Sequence, residues 1–284
     1  ALLQQFKQFY HQIHVLDCTH TDTIGAHRLL GQEVGPQIHK ILAKRLAEQA
    51  EVAAQVRRSR RYQAAIRAKL QQPGLEVALY AALNAYLGCV SAWADGADLA
   101  HFRYDGLPDM SVDGQPVSAE DWAFALQEDE VGCQTGVYRE RDGAVILWHS
   151  EEDYEETPGQ RFDKLRLFSF RAADGRPATG FIYPDLLPGP TFGWHGADFI
   201  QAIDTLHVKP VDFDSALLPN TLAWLSLYLG TKTSRAELAR QLAPFQGGYS
   251  LTGLYRQDGQ VRVEKVEFAN TDHAVSQLEN AAGC

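Results

Sequence analysis

The sequence predicts an α+β protein. Helical periodicity runs through its first hundred residues, the grammar changes to strands at Gly132, and three Asp-Gly turns punctuate the second half. In the first part, Val34, Ile38, Ile41, Leu42 and Leu46 recur at steps of three and four, which makes one helix face apolar. Ala-rich sequence with Gln, Glu and Arg carries the helical signal to about Leu70, where Gln72-Pro73-Gly74 breaks it. A second helix is expected over residues 76–89, evenly apolar and so deeply buried. Turns come next at Asp105-Gly106, Pro108, Asp113-Gly114 and Pro116, and Ser118 with Asp121 has the spacing of a capping box before a short helix at 122–126.

Beyond Gly132 the periodicity falls to two. Residues 135–140 and 144–149 flank Asp142-Gly143, 165–171 and 178–183 flank Asp174-Gly175, and 251–256 and 261–268 flank Asp258-Gly259. Each is the signature of an antiparallel hairpin. Residues 199–206 add an apolar strand. Two helices interrupt the strands, one over 220–229 ending at Gly230, the other over 234–242 with Ser234 and Glu237 as a capping box and Pro244 as its stop. The expected organisation is a mainly helical part, 1–132, and a β-rich part, 133–284, in one structural unit.

Composition narrows the function classes. The 284 residues are 45% hydrophobic and 22% charged, ordinary for a globular chain. A formal net charge of −10 argues against nonspecific nucleic-acid binding. The basic cluster Arg57, Arg58, Arg60 and Arg61 reads as a solvated helix face. No apolar run is expected to reach the ~20 residues that span a bilayer, so no membrane partner is expected. The opening stretch also lacks the unbroken apolar run of a signal peptide. Cys18, Cys89, Cys133 and Cys284 are scattered without a CxxC pair, a poor pattern for zinc or for a disulfide framework. Reduced thiols, and hence a cytoplasmic location, are the simplest expectation. No HExxH pattern accompanies His11 and His14, and the acidic run after Ser150 reads as a solvated loop rather than a calcium site.

Cys133 is the leading chemical candidate. It follows Gly132 where the acidic segment Glu128-Asp129-Glu130 gives way to the first strand. If the Gly132–Cys133 bond were cut, thiol and α-amine would belong to one residue. An amine of pKa near 8 could then serve as the thiol's own base. Against this stands a buried packing cysteine, the common state of this residue type.

Gly132-Cys133-Gln134-Thr135, the hairpin after it, and His149-Ser150-Glu151-Glu152-Asp153 resemble the penicillin acyltransferase-like branch of the N-terminal nucleophile hydrolases. Four further segments resemble that branch in order: Ile24-Gly25 to Gly31, Gly193-Trp194-His195-Gly196, Ile203-Asp204-Thr205-Leu206 and Asn270-Thr271-Asp272-His273. The resemblance implies a four-layer αββα sandwich, self-cleavage at Gly132–Cys133, and amide hydrolysis or acyl transfer through a thioester on Cys133. It implies that Glu151 orients the α-amine and Ser250 offers an oxyanion contact. His149, Asp204, Trp194 and Tyr249 would line the pocket. His149 and Glu151 stand where the family's Asn-Trp-Asp motif has asparagine and aspartate, and Asp204 stands where asparagine is expected. The implied partner is a small-molecule amide or acyl donor, with no metal or organic cofactor required and a homo-oligomer left open. One alternative is a catalytically degenerate member of the same fold that binds a ligand. Another is an unrelated α+β protein with Cys133 as packing.

Overall fold

A computed structural model describes residues 14–48, 51–105, 110–127, 132–152, 165–208 and 215–278. The helical part forms α1 (Thr23–Glu48), α2 (Val52–Leu70), α3 (Val77–Gly96) and α4 (Ala119–Leu126). Val34, Ile38, Leu42 and Leu46 are all buried on α1, as their spacing requires. The helical signal that runs on to Leu70 is divided, because α2 starts afresh after an extended Glu51. Gly31 and Gly96 let α1 and α3 cross at backbone distance: a Cβ on either would collide with a carbonyl oxygen of the other helix. The capping box of α4 is present, with the Asp121 amide donating to Ser118 Oγ at 3.1 Å and the Ser118 amide donating to Asp121 Oδ2 at 2.9 Å.

Helix α3 bears on the expectation that no apolar run spans a bilayer. It runs 20 residues and by length and composition alone is apolar enough to cross a bilayer, a test that the core helix of a soluble protein also passes. Half of that apolar stretch is buried inside the protein, where Leu83, Tyr86, Cys89 and Trp93 join the core.

Strand β1 (His14–Asp17) comes from the helical part, and β2 (Ser111–Val112) with β3 (Gln115–Pro116) makes a minimal hairpin. Next come β4 (Gly132–Arg139) and β5 (Val145–Glu152), a two-stranded ribbon. The others are β6 (Arg166–Arg171), β7 (Pro177–Ile182), β8 (Phe192–His195), β9 (Phe199–Leu206), β10 (Gly248–Gln257), β11 (Gln260–Ala269) and β12 (Asp272–Leu278). With β1 they form one eight-stranded sheet in the order β1-β6-β7-β8-β9-β10-β11-β12. Every pairing is antiparallel except β1 with β6, which aligns His14 with Arg166. The three Asp-Gly turns close their hairpins with Gly143, Gly175 and Gly259 at φ of 93°, 83° and 76°, a region glycine enters without strain.

Helices α5 (Pro219–Leu229) and α6 (Arg235–Leu242) complete the architecture, a mixed α+β fold with six α-helices among the described residues and one large mixed sheet. Alternation along β9 separates the two faces of that sheet. The Gln201 amide donates to the Ala223 carbonyl of α5 at 3.0 Å, so odd positions face the helices. Asp204 instead meets Thr135 of β4, so even positions face the ribbon. Between α1, α5 and the sheet lies an aromatic core in which Trp224 stacks on Phe170 and Tyr228 at 6.2 and 4.7 Å. The Trp224 indole N–H donates to His27 Nε2 at 3.2 Å, and His27 Nδ1 donates to the Thr23 carbonyl at 2.7 Å, which fixes the tautomer. One buried cluster joins residues from Cys18 to Phe268, so the helical and β-rich parts share a single core.

Candidate active site

Strand β4 begins at Gly132, three residues before its expected start, and Cys133 is therefore the second residue of a strand. Register fixes its neighbours: Cys133 lies opposite Glu151, and Thr135 lies opposite His149. Directly opposed residues of an antiparallel pair share a face, as do positions two apart on one strand. Cys133, Thr135, His149 and Glu151 therefore project together from the ribbon toward β9. Gln134, Gly136, Tyr138 and Trp148 take the outer face, where Tyr138 and Trp148 are exposed.

Hydrogen bonds link these side chains into a relay. Tyr183, just beyond β7, donates to Glu151 Oε2 at 2.9 Å, and Glu151 Oε1 meets His149 Nε2 at 2.6 Å. His149 Nδ1 meets Thr135 Oγ1 at 2.8 Å, and Thr135 donates its hydroxyl proton to Asp204 Oδ1 at 2.7 Å. Thr135 has one proton and gives it to Asp204, so Nδ1 of His149 must be the donor in its own bond. The other ring nitrogen, Nε2, makes the short contact with Glu151. One donor atom each from Cys133, His149 and Glu151 lies within 4.8 Å of the others.

The thiol donates to the Ile203 carbonyl at 3.0 Å. Burial, then the nearby Glu151 carboxylate, push its pKa up to about 12, and Asp204 adds to the effect. Cys133 is therefore a protonated thiol at neutral pH in the uncut chain. It is partly exposed and has polar neighbours, unlike Cys89, which is fully buried.

The other expected residues divide. Ser250 lies opposite Asp204 in the β9–β10 register, on the ribbon side of the sheet. It is 2% exposed, and its Oγ has no hydrogen-bond partner among the described residues. Tyr249, expected in the pocket, points to the helical side because it is one position out of phase. Its hydroxyl donates to Asn220 Oδ1 and fastens α5 to the sheet. Trp194 also lies away from the sulfur: it pairs with Ile200, about 13 Å along β9 from Asp204 at strand rise, and its indole packs on Phe192 at 6.2 Å. Gly132 faces Glu152, and the Gly132–Cys133 peptide is the first link of β4. The acidic residues after Glu152 and the segment 128–131 lie outside the described residues, as do His11 and Cys284.

Two members of the relay were absent from the sequence-based set. Thr135 carried a usable signal, because it shares the alternate-position phase of Cys133 and lies opposite His149. Tyr183 carried none, being 32 residues from Glu151 and joined to it only by the fold. His149 moves from pocket lining to the centre of the relay. Its ring nitrogen, the sulfur and a Glu151 oxygen are also atom types that bind a divalent metal. In comparison with known proteins, neither a family model nor a curated sequence matches this chain.

Proposed function

We propose that this chain is a cysteine-dependent amide hydrolase or acyltransferase for small molecules, with Cys133 Sγ as nucleophile. The observation that carries the reading is the convergence of Cys133, His149 and Glu151 within 4.8 Å where the ribbon meets the sheet. In the first step sulfur bonds to the acyl carbon, the C–N bond breaks and the amine leaves with a proton. Water or a second amine then takes the acyl group from the thioester, and the thiol regains its proton.

The thiol proton needs an acceptor, and the ribbon offers two. After cleavage of Gly132–Cys133 the new α-amine is a base of pKa near 8 on the nucleophile's own residue. In the uncut chain the acceptor is His149 Nε2, the nitrogen not engaged by Thr135, with the ring held by Glu151 and Glu151 by Tyr183. The resemblance to N-terminal nucleophile hydrolases supports the first route, and with it a four-layer sandwich in which the β4–β5 ribbon belongs to the second sheet. Ser250 and backbone N–H groups are the proposed oxyanion contacts. Asp204 is anionic and unsuited to that task; its bond to Thr135 makes it the anchor of the relay instead. No nucleic-acid or membrane partner enters this reading, and a cytoplasmic setting suits its reduced thiol.

Intact-mass analysis of the protein after incubation with aryl esters and anilides of graded acyl length tests the proposal. An acyl adduct on Cys133, absent from Cys133→Ala, is expected. Fragments meeting at 132/133 assign the α-amine as base, and an uncut acylated chain assigns His149. A chain that is uncut and forms no adduct with any donor overturns the enzyme. The strongly raised thiol pKa favours a second reading, a non-catalytic binder of the same fold, in which small amides would raise the melting temperature without acylating Cys133.

A further inference from the structure

We infer that Cys133, His149 and Glu151 form a binding site for one zinc-class divalent cation, and that its occupancy blocks the Cys133 thiol. The inference goes beyond the acyl-transfer reading and does not rest on it. A sulfur, an imidazole nitrogen and a carboxylate oxygen make the mixed donor set that suits zinc better than magnesium or calcium. Bond lengths of about 2.0–2.3 Å at a tetrahedral centre place ligand atoms roughly 3.3–3.8 Å apart. The three donors already lie within 4.8 Å of one another, so modest side-chain movement closes the site.

The outer hydrogen bonds select the ligand atoms. Thr135 occupies His149 Nδ1, which leaves Nε2, and Tyr183 occupies Glu151 Oε2, which leaves Oε1. Those two remaining atoms are the ones that meet, at 2.6 Å. Such outer partners orient metal ligands and tune their basicity. Charge points the same way: the Glu151 and Asp204 carboxylates stand on either side of the Thr135–His149 pair and make this face of the ribbon acidic. A second feature also points to a ligand. Ser250 Oγ is buried without a partner among the described residues and lies opposite Asp204 on the ribbon side, a polar hook for a water in the fourth coordination position.

Binding exchanges protons for the cation. The sulfur–metal bond forms as the S–H proton leaves to solvent, while Nε2 and Oε1 turn from each other to the metal, and no redox partner is needed.

The test uses the full chain, kept reduced with a phosphine, stripped with chelator and titrated with zinc chloride. About one zinc per chain with sub-micromolar affinity is expected, together with release of the thiol proton, read from the buffer dependence of the binding heat. Cobalt(II) should give a near-ultraviolet thiolate-to-metal absorption, and zinc should stop iodoacetamide labelling of Cys133. Cys133→Ser should weaken binding at least about 100-fold and abolish the cobalt band, whereas Tyr183→Phe, which keeps every ligand, should weaken it about tenfold. Circular dichroism checks that each variant folds. Retention of less than about a tenth of an equivalent by the unmodified chain would overturn the site. So would one equivalent bound equally by Cys133→Ser with Cys133 still open to alkylation.

Discussion

The side chains of His27 and His149 are almost equally buried, at 0% and 5% exposure, yet the two faces of the sheet surround them with different chemistry. On the helical face His27 sits among Phe168, Phe170 and Trp224 at ring distances of 5.3, 5.1 and 5.9 Å. One of its nitrogens accepts from an indole and the other donates to a carbonyl, so the neutral ring is complete. Burial pushes its pKa down to about 4. On the ribbon face both nitrogens of His149 meet oxygens, one of them a carboxylate. The two rings are buried alike, and it is their partners, aromatic on one face and acidic on the other, that set them apart.

Four measurements probe this contrast between the faces. Phe168→Ala should cost about 3–5 kcal/mol in urea unfolding and leave Cys133 alkylation unchanged; a matching change in thiol reactivity would show that the two faces are coupled. His27 should make stability fall as pH drops from 6.5 to about 4, because the unfolded ring takes a proton in that window and the folded ring does not. The loss amounts to roughly 3 kcal/mol, and His27→Gln should flatten that part of the pH profile. Glu151→Gln removes the charge that, after burial, most raises the Cys133 pKa. Iodoacetamide labelling at pH 8 should then speed up about tenfold, equivalent to about 1.4 kcal/mol, whereas an unchanged rate would mean that burial alone governs the thiol. Ser250→Ala should shift stability by less than about 1 kcal/mol, and upward, because the buried hydroxyl it removes has no partner to lose. A larger loss would reveal a hidden hydrogen bond.

Local chemistry was legible in the sequence, and remote pairing was not. The Asp-Gly turns at 143, 175 and 259, the cap of α4 and the glycine after α5 depend on a few adjacent residues, and the structure has them where the pattern put them. Strand β1 pairs with β6 about 150 positions away, and no short window of sequence encodes that contact. Strand β8 is only four residues of Phe-Gly-Trp-His, which reads as a motif rather than a strand, and β12 was absorbed into the same kind of reading at Asn270–His273. In the site, Cys133 and Glu151 could be named because each stands in a recognisable local pattern. Thr135 could be reached only through the hairpin register, and Tyr183 not at all, because its role arises from a contact across the fold. Tyr249 failed for the reason that alternation is unforgiving: one position separates the face of Ser250 from the face of Asn220.

The parallel pairing of β1 with β6 has a bearing on any break at the 132–133 bond. Sequence on both sides of that bond is woven into one interior, with β1 seated at the edge of a sheet made otherwise from the downstream strands, and with α1 and α3 packed around Trp224. Two pieces produced there would stay clasped. They would elute as one species from a sizing column and come apart only in denaturant, so gel filtration would miss a processing event that a denaturing gel displays at once.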